Sequence, residues 1–169
     1  MPSVLIALLL AAASAAAPPP AKPPAKAASF DARDPAALIG LLKSTGAQAE
    51  VMRASAEEVV LKVETPGGGF GIQYVDCGGQ RRACRALAFS TAFERKSVSL
   101  AQINDFNRGQ IACRGFLAED GAPNIAYAAL LSQRMSAEEL KLHVGAWQGC
   151  LATFSDFTRD PTAFLALGQ

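Results

Sequence analysis

Two runs of alternating side chains, Phe70-Gly71-Ile72-Gln73-Tyr74-Val75 and Leu87-Ala88-Phe89-Ser90-Thr91, lie on either side of Gly78-Gly79, with cysteines at 77 and 84 between them. Side chains in a strand alternate between faces, and directly opposed residues of an antiparallel pair share a face. If Cys77 faces Cys84, then Tyr74 faces Leu87 and Ile72 faces Phe89, all four on one side. Cys77, Val75, Cys84 and Ala86 then lie on the other. The apolar register therefore brings the two cysteines together unaided. The chain has 4 Cys in all, and of the three possible connectivities this register leaves Cys113 with Cys150. His143, Trp147, Cys150, Phe154 and Phe157 form one helical stripe, which turns Cys150 toward the sheet. Bonding the first pair closes a short loop, worth ~2.5 kcal/mol in the chain-entropy model; the second closes about 38 residues, worth ~4 kcal/mol.

Oxidation of these cysteines requires an oxidising compartment. Val4 to Ala13 is an apolar run followed by small residues and Pro18-Pro19-Pro20. It is about ten residues long, too short to span a bilayer and the right length for a secretory signal. Ala13-Ser14-Ala15 or Ser14-Ala15-Ala16 would precede the cut. Residues 1–17 are thus expected to be a signal peptide, although no Lys or Arg precedes Val4. Residues 18–29, rich in Pro, Ala and Lys, read as an extended linker. A folded domain is expected over 30–160, with a C-terminal tail from 161 to 169. Export implies a periplasmic or secreted protein with no stable membrane span after cleavage. Were the chain retained in the cytosol, the cysteines would be buried free thiols.

Within the domain, Asp34-Pro35 is a capped helix start, and Gly46 suits the position just past the helix end, so a helix is expected from Pro35 to Thr45. Strands are expected at Ala47–Arg53, Glu58–Glu64, Phe70–Asp76 and Arg85–Phe93, an antiparallel meander. Ser99 and Gln102 form a capping box that opens a short helix ending at Gly109. Ile111–Ala118 and Asn124–Leu131 flank Asp120-Gly121, a hairpin signal. Ser136 and Glu139 make a second capping box, opening a long helix from Ala137 to about Phe157, and Asp160-Pro161 starts a final short turn. Helix, four-strand meander, helix, hairpin and long helix together mean an α+β fold.

The charges are nearly balanced, 16 Lys+Arg against 15 Asp+Glu. A nucleic-acid binder normally carries a basic excess, so that class is set aside. The single His, His143, excludes a histidine-rich metal site, and neither a metal nor a cofactor is expected. Gly67 to Gly71 lacks the Gly-Lys-Ser/Thr ending of a phosphate loop and reads as a hairpin turn. Arg81, Arg82 and Arg85 cluster at a hairpin tip, where they could bind an anion but more simply make a solvated turn. The same choice applies to Arg108 and Arg114. His143 sits on the Trp147 stripe and reads as a half-buried core residue rather than a general base. Asp156 and Asp160 have no matching carboxylates. Met52 and Met135 are isolated, unlike a Met-rich groove.

In the second half, Ile103-Asn104-Asp105-Phe106-Asn107-Arg108, Ala118-Glu119-Asp120-Gly121 and Ser136-Ala137-Glu138-Glu139-Leu140, followed by Trp147 and Phe154, resemble the YbjN domain family. With the upstream helix and meander, the resemblance runs from about Phe30 to Phe157. It implies a fold similar to type III secretion chaperones, a label of sensory transduction regulator, and no catalytic residues. Members of that family are often cytoplasmic, and the leader, the linker and the four cysteines depart from that pattern.

The expectation is an exported, non-catalytic binding or chaperone-like regulator that engages a protein or peptide partner in the periplasm or forms a homodimer. The alternative class is an enzyme, either a thiol-dependent oxidoreductase or a small hydrolase built around His143.

Overall fold

The computed structural model describes residues 30–94 and 98–167. The expected leader and linker lie outside the described residues. From the first described residues the chain runs α1 (Pro35–Ser44), β1 (Gln48–Ala54), β2 (Glu58–Thr65), β3 (Gly68–Val75), a short 3-10 turn (Gly79–Arg81), β4 (Ala86–Ala92), α2 (Leu100–Arg108), β5 (Arg114–Leu117), β6 (Pro123–Leu130), α3 (Ala137–Arg159) and α4 (Pro161–Leu167). This is an α+β fold.

The helix starts follow local chemistry. The Asp34 carboxylate accepts the Ala36 N–H at 3.0 Å. Ser99 with Gln102, and Ser136 with Glu139, form reciprocal capping boxes that satisfy otherwise orphaned N–H groups. Gly46, at φ 85°, supplies the left-handed turn after α1.

The sheet is antiparallel in the order β1-β2-β3-β4-β6-β5. β1 to β4 form the expected meander. The β5–β6 hairpin then adds on with β6 innermost, leaving β1 and β5 as the two edges. Tyr74 pairs with Leu87 and Ile72 with Phe89, the register read from the alternating runs. Those four residues are fully buried.

The structure brings the Cys77 and Cys84 sulfurs to bonding distance, and likewise Cys113 and Cys150. The face of the first pair differs from strict alternation. Cys77 and Cys84 belong to the buried core, whereas Val75 and Ala86 stay half-exposed. Asp76 (φ 52°) and Ala83 (φ 56°) hold left-handed backbone and break the two-residue period just before each cysteine. The strand expected over 111–118 is shorter. Ile111 is 97% exposed and Cys113 precedes the first strand residue, Arg114. The chain beyond 160 is also more ordered than a tail. Phe164 of α4 packs 5.6 Å from Phe157 and 6.0 Å from Phe106, ring centre to ring centre.

One core holds the layers together. Trp147 of α3 lies wholly buried, stacked on Phe89 and edge-on to Phe70. Phe154 and Phe157 meet Phe106 of α2, and Leu38 and Leu42 bring in α1. The Trp147 indole N–H has no partner among the described residues. Such an orphan costs ~1–3 kcal/mol, while burying ~200 Å² of ring returns about 5 kcal/mol, so packing wins. The opposite sheet face mixes alanines with polar and exposed aliphatic side chains. Its rows run Val60–Gln73–Ala88–Ala128 and Glu58–Val75–Ala86–Leu130 across four strands.

Burial raises the Tyr74 phenol well above the ordinary tyrosine range, and the nearby Asp34 charge adds to the shift. Burial also raises Tyr127. A raised folded-state value means stability that is intact below the unfolded value, near 10, and is lost as pH rises beyond it. The unfolding free energy is therefore expected to fall above about pH 10. Tyr74→Phe should reduce that fall by up to ~1.4 kcal/mol per pH unit, read from urea midpoints at a series of alkaline pH values.

Candidate partner-binding surface

Cys77 and Cys84 close a tight loop over the N-terminus of α1. Three of its non-glycine residues, Gln80, Arg81 and Ala83, and Asp76 just before it have positive φ. Such backbone costs of order 1 kcal/mol per residue and persists only where surrounding contacts impose it. Those contacts are present: Gly78 and Arg82 form a bridge, and the Cys84 N–H donates to the Arg33 carbonyl at 3.1 Å. The arginine cluster divides. Arg82 pairs with Asp34 at 3.2 Å and Arg85 with Asp76 at 3.4 Å. Arg81 has no ion pair among the described residues and joins Arg82 at the rim of a hollow of ≈ 200 Å³. Ile39, Val51, Ala54 and Val59 give the hollow an apolar lining.

The two sheet edges differ. On β5, the Asn107 side chain of α2 accepts the Gly115 N–H at 2.7 Å and donates to the Gly115 carbonyl at 2.9 Å. A side-chain amide thereby takes the place of a neighbouring strand. At Gly115 the helices also approach the strand closely: a Cβ there would lie 2.9 Å from Phe154 Cε2 and 3.4 Å from Phe106 Cδ1. On β1, no hydrogen bond among the described residues comes from outside the hairpin to residues 48–54. Val51 and Met52 are 53% and 61% exposed. Met52 is a bulge residue, since Val51 pairs with Leu61 and Arg53 already with Val60.

The other candidate residues have local roles. His143 is half-buried, and its Nδ1 shares a 2.6 Å hydrogen bond with the Tyr127 hydroxyl. Arg108 pairs with Asp105, and Arg114 donates to the carbonyls of Gln110 and Cys113. Asp156 pairs with Arg159, and Asp160 caps α4 through the Ala163 N–H. Met135 packs against the core. Gly67 to Gly71 span the β2–β3 hairpin turn and the start of β3. Hydrogen bonds from Ser136 hold the Glu139 carboxyl below its usual range. Among the described residues there is no free cysteine and no group of acidic, His or Cys residues placed to hold a metal. None of their helices is long and apolar enough to cross a membrane.

The model of the YbjN family, described as "Putative bacterial sensory transduction regulator", matches residues 34–158. The chain belongs to the YbjN family. No curated protein and no solved structure matches it. The match starts at the Asp34 cap and ends at Thr158, so it takes in α1 to α3 and the whole sheet. Sequence reasoning recorded Phe106-Asn107 only as part of the family likeness. It missed the role of Asn107, for which the available signal was an Asn at the end of a helix eight residues before a strand glycine.

Asn107→Ala removes both bonds and leaves the Gly115 groups unpaired. We expect a loss of about 2 kcal/mol in unfolding free energy, read from denaturant midpoints. Gly115→Ala must displace Phe154 and should cost ~1–3 kcal/mol in the same measurement.

Proposed function

We propose that this YbjN domain is an exported, non-catalytic regulator that engages a protein partner in the periplasm through the β1 edge of its sheet. The observation that carries this reading is the difference between the edges. Asn107 occupies the outward groups of Gly115 on β5, while β1 leaves its outward backbone groups open beside an apolar hollow. An extended segment added to an open edge takes affinity from main-chain hydrogen bonds and specificity from alternate side-chain pockets. This is also how the chaperone-like character implied by the family resemblance would operate.

The leader and the cysteines support export. An oxidoreductase needs an accessible dithiol, and Cys77 and Cys84 are 8% and 0% exposed. A hydrolase around His143 would need a serine or thiol nucleophile on the imidazole; among the described residues the ring bonds Tyr127 through Nδ1, and there is no free thiol.

The test places a photo-crosslinking side chain at Met52, with Ala92 on the helix-free face as control, in cells producing the full chain. The reading expects a protein adduct from Met52 and none from Ala92, on a chain that has lost its leader and links Cys77 to Cys84. A reduced cytosolic chain retaining Met1, or the absence of any Met52 adduct, overturns it.

A further inference from the structure

The bulge at Met52 sets the β1 charges in an arrangement that an ordinary strand would not have. Residues 50 and 53 differ by an odd number, so in a regular strand their side chains point to opposite faces. Here Glu50 pairs with Lys62 and Arg53 with Val60, two ladder positions apart on β2. Both therefore lie on the helix-free face, one on each side of the Val51–Met52 pair. We infer that the occupant of the β1 edge is β1 of a second copy of this chain, in an antiparallel arrangement about a two-fold axis through Val51–Met52. The inference rests on the reading of β1 as the docking edge.

The symmetry supplies the complementarity. A two-fold axis normal to the sheet and centred on Val51–Met52 places Glu50 of each copy opposite Arg53 of the other. The same operation sets Ala49 opposite Ala54, again twice, so two small side chains face each other on the core side of the joined sheet. At the centre, the exposed apolar pair Val51–Met52 of one copy meets the same pair of the other, Val51 opposite Met52. Opposite charges directly across antiparallel strands stabilise the pairing, and like charges oppose it. The contact is isologous and closes on itself. The far edge, β5, is held by Asn107, so the joined sheet stops at two copies instead of growing into a filament. Arg53 already pairs with Glu58 at 2.7 Å, and Glu58 also accepts from Gln73. The guanidinium is thus held on the correct face before a second copy arrives, with most of its side chain, 69%, still exposed.

Sedimentation equilibrium of the purified, oxidised chain at up to about 100 µM tests this, a range that populates weak micromolar complexes. The wild type is expected to be a dimer. Glu50→Arg and Arg53→Glu should each weaken it about tenfold or more, because each puts two like-charge pairs across the seam. The double exchange should restore it. Far-UV circular dichroism of each variant separates loss of dimer from loss of fold. A wild type that stays monomeric overturns the inference, as does a dimer that neither single exchange weakens. If the purified chain is monomeric while Met52 in cells crosslinks a different protein, the second copy is refuted and the β1 docking edge survives. If Met52 crosslinks nothing, the docking edge itself falls.

Discussion

At Gly115, the strand β5, the helix α2 and the helix α3 come together with no room for a methyl group. The Asn107 amide clamps the Gly115 N–H and carbonyl from one side, and the Phe154 ring closes over its Cα. Two residues upstream, the Cys113 sulfur lies at bonding distance from that of Cys150 on α3. These three constraints act within one turn of chain. They fix where α2 and α3 lie on the sheet, and so which face becomes core. The Trp147–Phe89 stack and the Phe106–Phe154–Phe157 cluster follow from that placement.

The same junction accounts for the asymmetry of the surface. The α2 helix lies against β5, and its Asn107 amide occupies the outward groups of Gly115. The β1 end has α1 above it and the disulfide-closed loop beside it, but no strand or side chain along its outer edge among the described residues. Natural sheets usually blunt an open edge with charge, proline or a bulge. β1 carries two charges and a bulge, and the bulge arranges those charges in a self-complementary pattern. On the proposed pairing, two copies would join or separate at this edge with concentration.

Much of this was legible in the chain. The Tyr74–Leu87 register came directly from period-two alternation, because the inward residues are large and the outward ones small or polar. Both capping boxes and the Asp34 cap were readable from local hydrogen-bond chemistry alone. The face of Cys77 and Cys84 was not legible, since nothing in ordinary propensity places Ala83 in left-handed backbone, and Asp76 tolerates that conformation without requiring it. That conformation depends on tertiary bonds such as the Cys84 N–H to Arg33. The helix α4 was read only as a short turn at Asp160-Pro161, because Phe164 gains its partners only once α2 and α3 are in place. The Asn107 clamp and the β1 bulge depend on cross-strand register and edge position, which no local pattern encodes. The sequence did show that residues of this type stood there, as the family likeness through Phe106-Asn107 records.

Residue-resolved amide hydrogen exchange at two protein concentrations tests the central contrast between the edges most directly. The account expects the Gly115 amide to exchange only through global opening at either concentration, while the outward amides of Gln48–Ala54 exchange freely when dilute and slow as concentration rises. A Gly115 amide that exchanges as fast as an exposed loop, or β1 amides already protected in the dilute monomer, would contradict it.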